Sequence, residues 1–79
     1  MQVSGHTDNI PIAFSERFDS NWDLSAARAA AVADFFFANN DITSERVSVF
    51  GYADTKPVAD NDSATGRAQN RRIEILIDS

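Results

Sequence analysis

Seventy-nine residues allow one small domain, and a chain of this size buries only about two-thirds of the surface it exposes when unfolded. Twelve acidic against seven basic residues leave a net charge of −5, which argues against a general nucleic-acid binder, because phosphate contacts need surplus Lys and Arg. There is no cysteine, so disulfides and thiolate metal sites are excluded, whereas 43% hydrophobic content with 10% aromatics suits a folded chain.

No stretch approaches the roughly 18 apolar residues that span a bilayer. The segment Met1 to Asn9 has neither the basic head nor the apolar core of a signal peptide, so any export signal or anchor is expected upstream. Met1 to Gly5, with Val3 as its clearest strand former, reads as a short strand. His6 to Asp19 carries Asn9, Pro11, Ser15 and Asp19 and reads as a loop. Ser20 or Asn21 then serves as a helix N-cap, with Asp23 in the first turn where the helix dipole favours a carboxylate. From Trp22 to Ala38 an Ala-rich run is uninterrupted by Gly or Pro, which predicts a helix. Leu24, Ala27, Ala31, Phe35 and Ala38 recur at spacings of three and four and predict its buried stripe. Asn39 and Asn40 are residues suited to end it.

Val47 to Tyr52 reads as a buried strand closed by Gly51. Asp54 to Asn61, containing Pro57, reads as loop, and Ser63 to Asn70 as two helical turns that tolerate Gly66. Ile73, Ile75 and Ile77 alternate with Glu74, Leu76 and Asp78, the period of a strand with one buried face. Strands flanking a helix imply a parallel pair with a crossover. The predicted fold is therefore an α/β (α+β) sandwich of βαβαβ order, a small three-stranded mixed sheet with helices packed on one face.

Several residues invite chemistry. Gly5-His6-Thr7-Asp8-Asn9 stands where a strand gives way to a loop, and ligands of open α/β sheets sit outside the carboxyl ends of strands. Asp8 is thus either a binding carboxylate or a residue that caps the loop through Asx-type hydrogen bonds. Arg28 lies on the margin of the predicted stripe. It fits either a clamp on a carboxylate or an ordinary snorkelling or structurally paired Arg. Arg67, Arg71 and Arg72 lie within seven residues, but the acidic remainder and missing aromatics oppose a nucleic-acid reading. Structural pairing with Asp54, Asp60, Asp62 or Glu74 is the better account of them. His6 is the only histidine, and a zinc site needs more N or S ligands than the chain offers. Ser25, His6 and Asp8 assemble a triad on paper, without the nucleophile elbow that would support it. Carboxylate pairs such as Asp60 with Asp62 are ordinary in a polar loop. No enzyme and no cofactor is expected. Trp22 and most of Phe35-Phe36-Phe37 are expected in the core, although three adjacent Phe residues cannot all face one side of a helix.

Together these segments carry a resemblance. Gly5-His6-Thr7-Asp8 resembles the Gly-His-Thr-Asp signature of OmpA-like peptidoglycan-binding domains, and Leu24-Ser25-Ala26-Ala27-Arg28-Ala29 their Leu-Ser-x-x-Arg-Ala helix start. Gly51-Tyr52-Ala53-Asp54 with Pro57 is similar to the family's Gly-x-Gly-x-x-x-Pro turn, with Ala53 in place of the second Gly. Asn61 and Gly66-Arg67-Ala68-Gln69-Asn70-Arg71-Arg72-Ile73-Glu74-Ile75 resemble its closing block. Pro11, Phe18 and Ser20-Asn21-Trp22 resemble MotB-type flagellar stator proteins more than porin or lipoprotein members.

The resemblance implies non-catalytic binding of peptidoglycan through the diaminopimelate of its stem peptide. Asp8 would take the ligand's ammonium and Arg28 its carboxylate. Thr7, Asn9 and Leu24 would line the pocket, and Asn70 and Arg71 would brace it. It further implies a periplasmic module of a protein anchored in the inner membrane. Residues 1–79 would then form one OmpA-like domain lacking the family's first strand and helix, which leaves sheet surface or an edge uncovered. The alternative is a structural module that docks another chain, a second copy included, without binding peptidoglycan. A hydrolase acting on the same polymer is a distant third.

Overall fold

The computed structural model describes residues 1–12, 18–39 and 44–77; Ser15, Asn40 and Asp78, named above, lie outside them. In chain order the elements are β1 (Gln2–Gly5), α1 (Asn21–Asn39), a 3-10 turn (Ser44–Arg46), β2 (Ser48–Gly51), α2 (Ala64–Asn70) and β3 (Ile73–Leu76). Apart from the short turn, this is the order the sequence patterns predict. The sheet runs β2-β1-β3 and is mixed: β1 pairs parallel with β2 and antiparallel with β3.

Caps explain where the helices begin. The Ser20 hydroxyl accepts the Asp23 N–H at 3.3 Å, and the Asp23 carboxylate accepts the Asp19 N–H at 3.1 Å. Ser20 is therefore the cap of α1, and the Asn21 side chain is released for another use. Ser63 caps α2, accepting the Gly66 N–H at 2.9 Å. Gly66 is required by space, since a Cβ there would sit 1.7 Å from the Asp60 carbonyl oxygen.

Two more glycines set how closely α1 approaches the sheet. Gly5 and Gly51 are register partners at the carboxyl ends of β1 and β2. A Cβ on Gly5 would lie 2.1 Å from the Ser25 carbonyl oxygen, and one on Gly51 would lie 2.7 Å from the Ala26 nitrogen. The helix backbone thus rests on bare sheet backbone. Only small side chains fit beneath it, and the buried face is Ser25, Ala29 and Ala33, one residue per turn. Val3, Ala29 and Ala33 make the core, with Met1, Val32, Phe37, Val47 and Ile73 packed around it.

This corrects the predicted stripe. Ala31, Phe35 and Ala38 are exposed, and Leu24 and Ala27 are only half-buried. Alanine on nearly every face left the apolar period ambiguous, and close approach to the glycines chose the rotation. Trp22 is also exposed, and of the Phe run it is Phe37 that reaches the core. Ile73 packs as predicted, but Ile75 and Ile77 are exposed: α1 lies over β1 and β2, and β3 is the edge beyond them.

Candidate functional site

The strand ladder continues past the carboxyl end of β1. The Tyr52 N–H donates to the Gly5 carbonyl at 3.0 Å, and the Thr7 N–H to Ala53 at 2.8 Å. On the other side His6 and Arg72 exchange backbone hydrogen bonds of 2.9 and 3.3 Å. His6 and Thr7 are held between their neighbours, and the chain turns away only at Asp8.

At that turn the Asp8 carboxylate has two partners. One oxygen accepts the Ile10 N–H at 3.0 Å, so the Asx-type capping bond is made. The other accepts from the Arg71 guanidinium at 2.7 Å. The Asp8 side chain is about 10% exposed and that of Arg71 49%, so a nearly enclosed carboxylate is joined to a cation that reaches solvent. The Thr7 hydroxyl donates to the Asp8 carbonyl at 2.8 Å and is buried, while Asn9 is exposed. The Asn21 amide donates to the Ile10 carbonyl at 3.0 Å and, at 3.5 Å, to that of Asp8, tying the helix start to the loop.

Leu24 and Arg28 follow on α1, both half-buried. Among the described residues no hydrogen bond or ion pair holds the Arg28 guanidinium, and none joins it to Asp8. Asn70 is fully buried with its amide satisfied. It accepts from Val58 and Ala59 at 2.8 and 3.0 Å and donates to Ala59 and Asn61 at 3.0 and 2.8 Å. It braces the 58–61 segment and has no free donor or acceptor for a ligand. Thr7, Asp8, Asn9 and Arg71 are thus gathered, Leu24 and Arg28 stand on the adjoining helix, and Asn70 supports from behind.

The pairing proposed for the arginine cluster holds for Arg72, which binds Glu74. It fails for Arg71, whose partner is Asp8, 63 residues away, and for Arg67, which donates to the Asn61 carbonyl at 2.9 Å. A partner so distant in sequence leaves no local signal.

Sequence reasoning missed three supports. The Ser25 hydroxyl donates to the Trp22 carbonyl and accepts the Ala53 N–H, each at 3.0 Å, pinning α1 to the turn after β2. Asn21, one of two candidate caps beside Ser20, instead ties the helix start to the loop. Ala53 stands at φ 53°, in the left-handed region, which is where a turn would prefer glycine. The signals were there: a Ser and an Asn inside the motif-bearing segments, and an Ala at a Gly position.

His6 is 3% exposed and stacks on Tyr52 with ring centroids 5.2 Å apart. Burial foremost, then the Arg72 charge, hold its pKa below the ordinary value near 6.5, against the opposing pull of Glu74. Among the described residues no group of three or more His, Cys, Asp or Glu side chains is placed to hold a metal, and no helix is long and apolar enough to cross a membrane.

A family model described as the OmpA family matches residues 1–71. The chain belongs to the OmpA family. Within that family it lies near MotB. Motility protein B of Bacillus subtilis is 48% identical over 75 residues, which cover 95% of this chain and 28% of that protein. The C-terminal domain of Helicobacter pylori MotB superposes with a TM-score of 0.87 at 34% identity, over 99% of this chain and 59% of that one. The cell wall anchor of the T6SS from Pseudomonas aeruginosa superposes at 0.82 with 51% identity, over 91% and 49%. This OmpA-family chain therefore spans less than two-thirds of each of these relatives.

Proposed function

We propose that the chain is a non-catalytic peptidoglycan-binding module that anchors an envelope protein to the cell wall. Its ligand is the diaminopimelate of the stem peptide. The carrying observation is the Asp8 carboxylate, fixed and nearly enclosed at the carboxyl ends of parallel strands beside the half-exposed Arg71. Similarity to a cell wall anchor and to MotB domains supports the same reading. Asp8 receives the ammonium of the ligand's free end, and Arg28, which no side chain of the described residues engages, receives its carboxylate. Thr7, Asn9 and Leu24 line the site, and Arg71 orients Asp8. By the same similarity the parent is a stator-type protein with this module in the periplasm and an anchor in the inner membrane.

Magnitudes make one site weak. Two charge-assisted hydrogen bonds contribute about 3–6 kcal/mol together. Association costs about 4–15 kcal/mol in lost freedom, so firm anchoring comes from several sites on one polymer. The test is co-sedimentation with purified sacculi. Asp8→Asn keeps an oxygen for Ile10 while removing the charge, and Arg28→Ala removes no hydrogen bond among the described residues, so both should fold and both should stay in the supernatant. Retention of both at the wild-type level sinks the assignment.

A second reading, docking of another chain without peptidoglycan binding, is favoured by the exposed Ile75, Leu76 and Ile77 at the β3 edge. Concentration-dependent dimerisation in sedimentation equilibrium, without sacculus binding, would select it.

A further inference from the structure

His6 is a buried ionisable group for which the proposed binding chemistry has no use. Neither of its ring nitrogens has a hydrogen-bond partner among the described residues, although buried polar groups are ordinarily partnered. Gly5 faces α1, so alternation turns His6 to the other side of the sheet, away from the helix. Four groups face it there. Glu74, on β3, has a carboxylate oxygen 3.7 Å from Nε2, but that carboxylate is already held by Arg72. Arg72 and Lys56 bring positive charge to the ring, and Tyr52 stacks on it, with the Lys56 ammonium 5.3 Å from the Tyr52 ring centre. One anion thus already answers two cations, and a proton on His6 makes a third.

The ring also stands where a change of charge reaches the binding loop. His6 and Arg72 exchange the backbone hydrogen bonds that make the rung just beyond the paired ends of β1 and β3. Thr7 and Asp8 follow His6 on one chain segment, and Arg71 precedes Arg72 on the other. The Asp8–Arg71 ion pair, at 2.7 Å, therefore closes over the rung that holds His6. The Arg72 side chain fastens the same rung, donating to the Asn70 and Lys56 carbonyls at 3.3 and 2.9 Å as well as to Glu74. A protonated imidazole competes with Arg72 for Glu74 and repels both Arg72 and Lys56. Each effect parts His6 from Arg72, and parting them brings the charged ring to water.

We propose that His6 is a proton-operated latch on the binding loop. Neutral, it keeps the rung closed and Asp8 clamped; protonated, it lets residues 6–8 part from residues 71–72, so that the site releases its ligand in mild acid. The direction agrees with the burial and the Arg72 charge that hold the folded ring's pKa below its ordinary value. The open form titrates near the ordinary 6.5, so acidification from pH 7 to pH 5 favours it by at most about 25-fold. Release of ligand rests on the peptidoglycan reading, whereas the opening itself does not.

The test is amide hydrogen exchange followed by NMR between pH 7 and pH 5, on the 79-residue chain and on His6→Phe, with the imidazole signal followed in the same samples. After correction for intrinsic rates, the Thr7 and Arg72 amides should be less protected than those of Ala29 and Ala33 in the core, because they open locally. In the wild type their protection should fall about tenfold as the imidazole takes its proton, and in His6→Phe by less than about twofold. Protection equal to that of Ala33 means that the domain opens only as a whole, and overturns the proposal. An equal fall in His6→Phe overturns it too. Where that variant fails to fold, a wild-type fall that does not track the imidazole does the same. A second arm adds diaminopimelate, which by linkage should move the imidazole midpoint to lower pH. Binding that leaves the midpoint unmoved overturns the latch. No binding at pH 7, with local and acid-dependent exchange, removes the peptide site and upholds the latch.

Discussion

Ala53 is where a single residue most visibly departs from what its backbone prefers. Its φ of 53° costs an L-residue about 1–2 kcal/mol, while glycine there would lose about 0.4–1 kcal/mol through greater freedom when unfolded. Ala53→Gly is thus expected to be neutral to about 1 kcal/mol stabilising in urea denaturation, and Ala53→Val, β-branched, to lose about 2 kcal/mol or more. His6 makes a second prediction at this scale. Its folded pKa lies below the unfolded value, so the unfolded chain binds the proton more readily. Its destabilising contribution is absent above about pH 6.5, appears as pH falls below that value, and grows until the folded ring itself titrates. The melting temperature should fall between pH 7 and pH 5, and His6→Phe, which keeps the stack, should flatten that fall. Which residues would gather at the turn was legible only in part. Asp8 announced itself by its place after a strand, and its capping bond was foreseeable from an Asx side chain in a turn. Arg71 entered only through the resemblance of the closing block, because nothing local distinguishes it from Arg67 or Arg72.

Secondary structure was read well because each element carries its own signal: Ser20 and Asp23 at the start of α1, alternation in β3, Ser63 before α2. The rotation of α1 was not. A helix with alanine on most faces has no distinct apolar stripe, and a sum over its side chains cannot say which way it lies. The deciding information is in β1 and β2, where Gly5 and Gly51 remove the side chains that would hold the helix away. Gly51→Ala places a methyl 2.7 Å from the Ala26 nitrogen and should cost about 2–3 kcal/mol, since neither backbone can yield alone. On the helix side, Ala29→Leu should be comparably damaging, while Phe35→Ser, at a position 63% exposed, should change stability by less than about 0.5 kcal/mol. The stripe first read from the sequence ranks Phe35 as core, so this pair of urea denaturation curves separates the two rotations.

At the scale of the whole molecule the core is small, built from Val3, Ala29 and Ala33 with partly buried neighbours, and much apolar surface stays outside. Val3→Ala should remove about 2 kcal/mol of what is, for a domain this size, a narrow margin. The exposed Ile75 and Ile77 show why an alternating strand is not evidence of a covered face: the pattern reports what a sheet can bury, and the helix layer decides what it does bury. The candidate site shows the same distinction. Family membership, the loop and Asp8 were visible in the motifs, whereas the arrangement of Asp8 with Arg71 and the open position of Arg28 required the fold. The proposed function turns on recognition of a zwitterion through a carboxylate and a guanidinium. The most direct measurement is an NMR titration with diaminopimelate and, in parallel, with Nα-acetyl-lysine amide, whose ammonium has no carboxylate beside it. Saturable shifts at Thr7, Asp8, Asn9 and Arg28 with diaminopimelate, and binding of the lysine derivative weaker by about tenfold or more, are the predicted result. Equal responses to the two compounds, or a folded spectrum that ignores both, would contradict it.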